Sequence, residues 1–349
     1  MKQQKPRFTS LQMPNLDIKT NHNHSPHVVI LGAGASRACC PDGDKFHQKL
    51  PLMNDFIETL NLKNIIKELN FSENNFELIY SEAIKQNRND IIQNLNAEIG
   101  SYFSKIQISK SPTLYDYLIL SLRQKDAIIT FNWDPLLVQA YKRWRHLGKV
   151  LPQLFFLHGN IDVGYDLKQK SVGFLSDGPY NGHYMEPSPL LFPVDNKDYN
   201  ANPFISEQWR ASQEFISKCY FLTIFGYSAP ISDVEAKSLL LSAWKQNAGK
   251  WIAHIALIDL KDPKEIMNSW SNFIQDESFF GVNSDLSTSA LMSHPRRSCE
   301  SLAWANLQQD PWGERPMPKF YSLKELEEWV APLIDEEQSG VLKKTLKIF

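Results

Sequence analysis

The sequence predicts an α/β fold in which a parallel sheet carries helices on both faces and is interrupted by an inserted helical and loop lobe. Three observations predict it: short apolar runs without clean alternation, helix-like stretches between those runs, and glycine or polar residues where the runs end. Strands buried on both faces read as continuous apolar runs, and strands alternating with helices pair in parallel. At 349 residues, with 42% hydrophobic and 22% charged residues, the chain can bury a large core and leaves little room for extended disorder.

Residues 1–26 are polar, with Lys2, Lys5, Arg7 and Lys19 among prolines and asparagines, and read as a loosely ordered arm. The fold should begin near His27. Strands are expected at "HVVIL" (27–31), "DAIITF" (126–131), "LFFLHG" (154–159), "CYFLTIFG" (219–226) and "WIAHIALIDL" (251–260). Helices are expected around 53–69, 75–85, 89–104, 113–124, 135–146 and 233–247. The stretch 160–205, rich in Gly, Pro, Asp and Asn with one apolar segment "PLLFP", reads as an excursion from the sheet. Residues 281–300 are serine-rich and read as loop, while "SLKELEEWVAPLI" has helical periodicity behind Ser322 as a cap. The expected organisation is an arm over 1–26, a main domain over 27–280 and an extension over 281–349.

A net charge of −2 gives no electrostatic footprint for a polyanion, so direct nucleic-acid binding is not expected. Cys39, Cys40, Cys219 and Cys299 form no C-x-x-C pair and no zinc spacing, which suits a reducing compartment; Cys39 and Cys40 read as buried fillers. No run approaches the roughly 20 apolar residues needed to cross a bilayer, and a cytoplasmic protein is expected. His22, His24 and His27 cluster, but in or beside the arm, and no metal is assigned to them. Trp133 is expected in the core, and "HPRR" (294–297) as an exposed basic loop.

"HVVILGAGAS" places Gly32, Ala33, Gly34 and Ser36 where a strand gives way to a helix, a position at which backbone N–H groups and the helix dipole can meet an anion. Glycine lets a phosphate approach the backbone. A phosphate-binding loop ending in Gly-Lys-Ser/Thr is absent, since Ser36-Arg37 stands there. A Rossmann dinucleotide fingerprint fails as well: Arg37 replaces its third glycine, and Asp55, at about the right distance for its acidic residue, lies in a helical stretch. A turn that merely joins strand to helix is the competing reading.

Other expected strands also end in polar residues: Thr130, Asn132 and Asp134; His158 and Gly159; Gly226, Ser228 and Asp233; and Asp259. Ligands of open parallel sheets sit outside the carboxyl ends of the strands. Singly, each residue has a plainer reading as a turn, cap or satisfied polar group. Asp134 either contacts a ribose or caps the helix after Pro135, and Asp233 reads as a cap.

As a set, the Gly-Ala-Gly-x-Ser loop, "ITFNWDPLL", "FLHGN" and "FGYSAPISD" resemble the sirtuin family, and more closely the bacterial sirtuin-like NAD hydrolases of anti-phage defence. The resemblance covers roughly residues 27–260. The cysteine-rich zinc module of protein-deacylating sirtuins has no counterpart, because only Cys219 lies between the His-Gly pair and the Gly-x-Ser. The resemblance implies a Rossmann-like fold, NAD as substrate and no zinc. It places the diphosphate at the amides of Gly32 to Ser36, the adenosine end near Gly226, Ser228 and Asp259, and the nicotinamide ribose over Asn132 and His158. His158 would accept a proton from water or a ribose hydroxyl, and Asn132 would orient both. It further implies control from outside the catalytic domain, by a homo-oligomer or by a partner such as a HerA-type ATPase or an Argonaute-like module. A non-catalytic NAD or ADP-ribose binding module and a protein deacylase are the competing functions.

Overall fold

The computed structural model describes residues 25–69, 71, 73–180, 182–192, 199, 202–227, 234–247, 253–271, 279–306 and 314–339. The strands are β1 (His27–Leu31), β2 (Ala127–Thr130), β3 (Gln153–Phe156), β4 (Val163–Asp166), β5 (Ser171–Phe174), β6 (Glu186–Pro187), β7 (Phe221–Phe225), β8 (His254–Ile258) and β9 (Phe279–Asn283). Six of them form one parallel sheet in the order β3-β2-β1-β7-β8-β9. This is the doubly wound, Rossmann-like arrangement, with its reversal of strand order between β1 and β7. Val28 to Leu31 are fully buried, as a central strand covered on both faces requires.

Register decides what the carboxyl edge presents. Leu31 lies opposite both Thr130 and Phe225, Thr130 opposite Phe156, and Phe225 opposite Ile258. The residues that follow these five therefore emerge side by side along one edge.

Between β1 and β2 lie α1 (Ala33–Cys39), α2 (Phe56–Thr59), α3 (Lys63–Ile66), α4 (Phe76–Lys85), α5 (Asn89–Ser104) and α6 (Leu114–Ser121). The helix expected over 53–69 is broken into short turns, and Asn61, with φ of 56°, stands at the break. After β2 comes α7 (Leu136–Trp144), and Asp116 joins α6 to it by accepting from Arg143 Nη1 and Trp144 Nε1, both at 2.9 Å. The excursion after β3 is built on a second sheet, order β5-β4-β6 and antiparallel, and is followed by α8 (Pro203–Lys218). Asn202 caps α8 through Phe204 N and Ile205 N, with Pro203 at its first position. Next come α9 (Val234–Lys245) and α10 (Pro263–Ser269), flanking β8.

The carboxyl-terminal part departs most from expectation. Residues 281–300, expected as loop, begin inside β9 and continue through α11 (Ala290–Ser293) into α12 (Ser298–Asn306). β9 thus crosses the expected boundary at 280. The "HPRR" loop is not exposed throughout: Arg296 is 3% exposed and donates to Leu120 O, Leu122 O, Val150 O and Glu337 Oε2. Glu337 belongs to α13 (Leu323–Gln338), the helix expected behind Ser322, which begins with a capping box of Ser322 and Glu325. Four carbonyl and carboxylate acceptors explain how a basic side chain tolerates this burial. Of the three clustered histidines, His27 is a buried strand residue, and His22 and His24 lie outside the described residues.

Candidate functional site

Three glycines pack the loop after β1 against the end of β7. Gly32 N–H donates to Phe225 O and Gly34 N–H to Gly226 O, at 3.0 and 2.9 Å. A Cβ on Gly32 would stand 2.5 Å from Gly226 O, and one on Gly226, which has φ of 62°, would stand 2.2 Å from Ala35 N. Close backbone approach therefore accounts for glycine here before any ligand is considered. Ala35 N–H also donates to Gly32 O at 2.9 Å. Three of the amides expected to face a diphosphate are thus spent within the fold, while Ala33 and Gly34 remain partly exposed.

Arg37 and Asp55, the two positions at which the dinucleotide fingerprint fails, pair with each other. Arg37 Nη2 lies 2.6 Å from Asp55 Oδ2, and Arg37 Nε donates to Leu50 O. The guanidinium holds the Asp55 carboxyl below its ordinary pKa against the opposing effect of partial burial. Asp55 is accordingly part of the loop's brace and no strand-end ligand.

Around the glycine loop lies a buried polar network. Asn132, two residues beyond β2, donates from Nδ2 to Gly32 O at 2.8 Å, to Ser36 Oγ at 2.9 Å and to Tyr115 OH at 3.3 Å. Ser36 Oγ donates to Asp134 Oδ2 at 2.6 Å and lies 2.7 Å from Tyr115 OH. Asp134 Oδ1 accepts from Leu136 N, so the carboxylate caps α7 with one oxygen and holds Ser36 with the other. Both of its oxygens are thus hydrogen-bonded within the protein, one of them to the first residue of α7. Burial raises the Asp134 pKa, opposed by the Ser36 and Leu136 hydrogen bonds, and burial pushes the Tyr115 phenol well up.

The Asn132 carboxamide orientation follows from its surroundings. Gly32 O can only accept, so the NH₂ group must face it, and a reversed amide would set two oxygens together. The carboxamide oxygen takes no hydrogen bond among the described residues, and Asn132 is 9% exposed.

His158 follows β3 by two residues, opposite Asn132 in continued register, but its ring has different neighbours. It packs edge-on to Phe131 with ring centroids 4.8 Å apart, and its Nε2 lies 3.3 Å from Tyr199 OH. Phe131 in turn stacks on Tyr227 at 4.2 Å. Gly32, lacking a side chain, lets Tyr227 come close, since a Cβ there would lie 2.7 Å from Tyr227 Cβ. An aromatic pair thus stands at the strand reversal. Trp133 turns elsewhere, into the core against Phe56, Phe103 and Phe192, with its indole N–H unpartnered.

Asn160, the last residue of "FLHGN", locks the two strand ends together. Its Nδ2 donates to Asn132 O at 3.2 Å and to Asp134 O at 2.6 Å, while its Oδ1 accepts from Asp162 N. Gly159 has φ of 74°, and a Cβ there would stand 1.9 Å from Pro189 O. Leu191 N–H donates to His158 O, so the segment 188–191 of the excursion runs directly against the His-Gly pair. His158 is 6% exposed beneath it.

Asp259, directly after β8, accepts from Lys261 N at 3.1 Å and borders a small cleft with Tyr227, Lys261 and Trp270. Ser228 and Asp233 lie outside the described residues. Tyr115 and Tyr199 were not singled out in the sequence. Tyr115 sits in α6, a helix buried over most of its surface, where a tyrosine reads as core, and only the three-dimensional approach of α6 to the loop gives its hydroxyl a partner. Among the described residues no group of three or more His, Cys, Asp or Glu side chains is arranged to hold a metal ion, and none of the helices is long and apolar enough to cross a membrane. Cys39 and Cys40 are buried free thiols.

No family model matches the chain, and no curated protein sequence matches it. Solved structures of Sir2 proteins are similar to it at low identity. One described as a Sir2–p53 peptide–NAD+ complex is 15% identical, covering 74% of this chain and 88% of its own, with a TM-score of 0.36. A second, on the structural basis of sirtuin substrate affinity, is 17% identical over 75% and 89%, with a TM-score of 0.38. A third, Sir2 with the inhibitor EX-527, 2′-O-acetyl-ADP-ribose and a deacetylated p53 peptide, is 15% identical over 81% and 93%, with a TM-score of 0.38.

Proposed function

We propose that the chain is a sirtuin-like NAD glycohydrolase that cleaves NAD to nicotinamide and ADP-ribose, linear or cyclic, and acts in anti-phage defence by depleting NAD. The observation that carries the reading is the Asn132 carboxamide: its nitrogen is anchored to the glycine loop at 2.8 Å, its oxygen is left as an acceptor, and His158 stands at the next strand end. Adjacent parallel strands lie about 4.8 Å apart, so the ends of β1, β2 and β3 span about 10 Å, a distance one dinucleotide can bridge.

Nicotinamide joined to ribose is cationic and leaves as a neutral molecule with the bonding electron pair. Breaking the C1′–N bond therefore needs no strong general acid, only stabilisation of an oxocarbenium-like centre and a nucleophile. Asn132 Oδ1 accepts from water or a ribose hydroxyl and sets its direction. His158 takes the proton released when that oxygen attacks C1′. The diphosphate runs along Ala33, whose amide is not among those spent within the fold, and past the partly exposed Gly34, and the adenosine end lies toward Gly226, Ser228 and Asp259. No zinc takes part.

Segment 188–191 packs against His158 and Gly159, which favours a small substrate over an acylated polypeptide. Burial of His158 and the Phe131–Tyr227 pair suit an enzyme held latent until a homo-oligomer, a HerA-type ATPase or another sensor protein opens it. Incubating the full chain with NAD, alone and with the protein encoded beside it, and following nicotinamide by chromatography tests the proposal. Release of nicotinamide in either arm is expected. Tight NAD binding without release in the assembled complex would leave a binding module, and release that requires acyl-lysine would mark a deacylase.

A further inference from the structure

We infer that Tyr115 is a positioning residue that acts through Ser36 to hold the Asn132 carboxamide with its oxygen directed to substrate. The inference rests on the NAD reading for its functional consequence, but the relay itself stands on the hydrogen-bond geometry.

The direction of every bond in the network is fixed by counting protons. Ser36 has one hydroxyl proton, and it goes to Asp134 Oδ2 at 2.6 Å, because a carboxylate oxygen can only accept. In the 2.7 Å contact between the two hydroxyls, Tyr115 must therefore be the donor. Ser36 Oγ then has two lone pairs, one filled by Tyr115 and one by Asn132 Nδ2 at 2.9 Å. The two Asn132 amide protons go to Gly32 O and to the Ser36–Tyr115 pair. No donor is left over for the Asn132 oxygen, and no acceptor is left empty on Ser36. Tyr115 completes the set. Burial holds the phenol proton firmly in place, which keeps the relay polarised one way.

Asp134 anchors the far end of the chain of bonds, since its other oxygen caps α7. Tyr115 arrives from α6 and is 1% exposed. Its hydroxyl touches Asn132 itself only at 3.3 Å. The phenol has no place in the bond-breaking step; it removes a rotational choice from the residue that does.

The test compares wild type, Tyr115→Phe, Ser36→Ala and the double variant as full chains, each checked for folding by circular dichroism. Nicotinamide release is measured in the assembly that activates the wild type. Tyr115→Phe should lower kcat about tenfold, equivalent to about 1.4 kcal/mol, with KM for NAD changed less than about twofold. Because the two residues act in series, the double variant should be no slower than the slower single variant. An unchanged kcat, a change confined to KM, or additive losses would overturn the inference. A second readout does not depend on turnover: the Asn132 side-chain amide resonances, assigned by their loss in Asn132→Ala, should be protected from hydrogen exchange in wild type and exposed in Tyr115→Phe. If no form releases nicotinamide, the NAD reading fails. Exposed amide protons in Tyr115→Phe would then still support the relay, whereas unchanged protection would overturn it.

Discussion

At the amino end of the six-stranded sheet, His27 Nδ1 and Nε2 lie 2.7 Å from Ser298 Oγ and Thr223 Oγ1, its N–H donates to Asp126 Oδ1 at 2.8 Å, and its ring stacks on Phe221 at 4.4 Å. At the carboxyl end of the same strands, Asn132 is tied by its nitrogen alone and keeps an oxygen in reserve. Both ends are buried and polar. They differ in what is left over. Around His27 the leftover atoms, Arg123 Nε and Glu300 Oε2, are sealed from solvent inside the contact between Arg123 and Glu300. Asn132 remains 9% exposed with its acceptor unspent. The unspent atoms at the amino end are closed off from solvent, whereas the unspent acceptor of Asn132 belongs to a side chain that is still partly exposed. Ser298, Glu300 and Arg296 all come from the carboxyl-terminal extension, so the amino end is where that extension is fastened to the sheet.

Substitutions at the two ends should therefore fail in different ways. The largest effect is expected at the carboxyl end. His158→Ala and Asn132→Ala should each cut nicotinamide release by about 10²-fold or more with the chain still folded, Asn132→Ala also losing about 1–3 kcal/mol of stability because Gly32 O and Ser36 Oγ lose a buried donor, and retained turnover in a purified variant would remove that residue from the chemistry. At the amino end, Arg296→Ala strands Glu337 and three backbone carbonyls. It should cost about 3–5 kcal/mol of stability, read by denaturant unfolding, and a smaller loss would mean that α13 is held mainly by its apolar face.

The pH dependence of stability sharpens the contrast. Burial lowers the His27 pKa to about 3, outweighing the attraction of Asp126. The unfolded chain takes up this proton below about 6.5, but the folded chain does not. The stabilising contribution is thus complete above pH 6.5 and is lost as pH falls toward 3, at about 1.4 kcal/mol per pH unit. Stability curves of wild type and His27→Gln between pH 7 and 5 should converge as pH falls; parallel curves would show that His27 titrates normally. The smallest effect belongs to a surface pair between the turn that follows α7 and α13. His146 Nε2 and Glu327 Oε1 are 2.7 Å apart but both exposed, and Glu327→Gln should change stability by about 0–1 kcal/mol.

The main sheet was legible because its physics is local. Five buried strands lie within three residues of the apolar runs that mark them, and the glycine loop, Asn132 and His158 follow the strands they were expected to follow. Helix α8 carried a readable Asn-Pro start that the excursion's composition masked. β9 was harder to see: "FFGVN" is short, and its pairing with β8 depends on a neighbour distant in sequence. The antiparallel β4-β5-β6 sheet, with strands of two to four residues, gives no periodicity long enough to read.

By itself the sequence determined which residues would stand at the ends of parallel strands, because burial of apolar runs fixes the strands and chain direction fixes their carboxyl ends. Only the tertiary structure decided what each of those residues does there. Hydrogen-bond partners are chosen by contacts between segments far apart in the chain: Arg37 takes Asp55, Asp134 takes Ser36, and Tyr115 arrives from another helix to complete the set around Asn132. Composition and spacing carry no record of those meetings, since a donor's partner depends on distances set only when the helices pack.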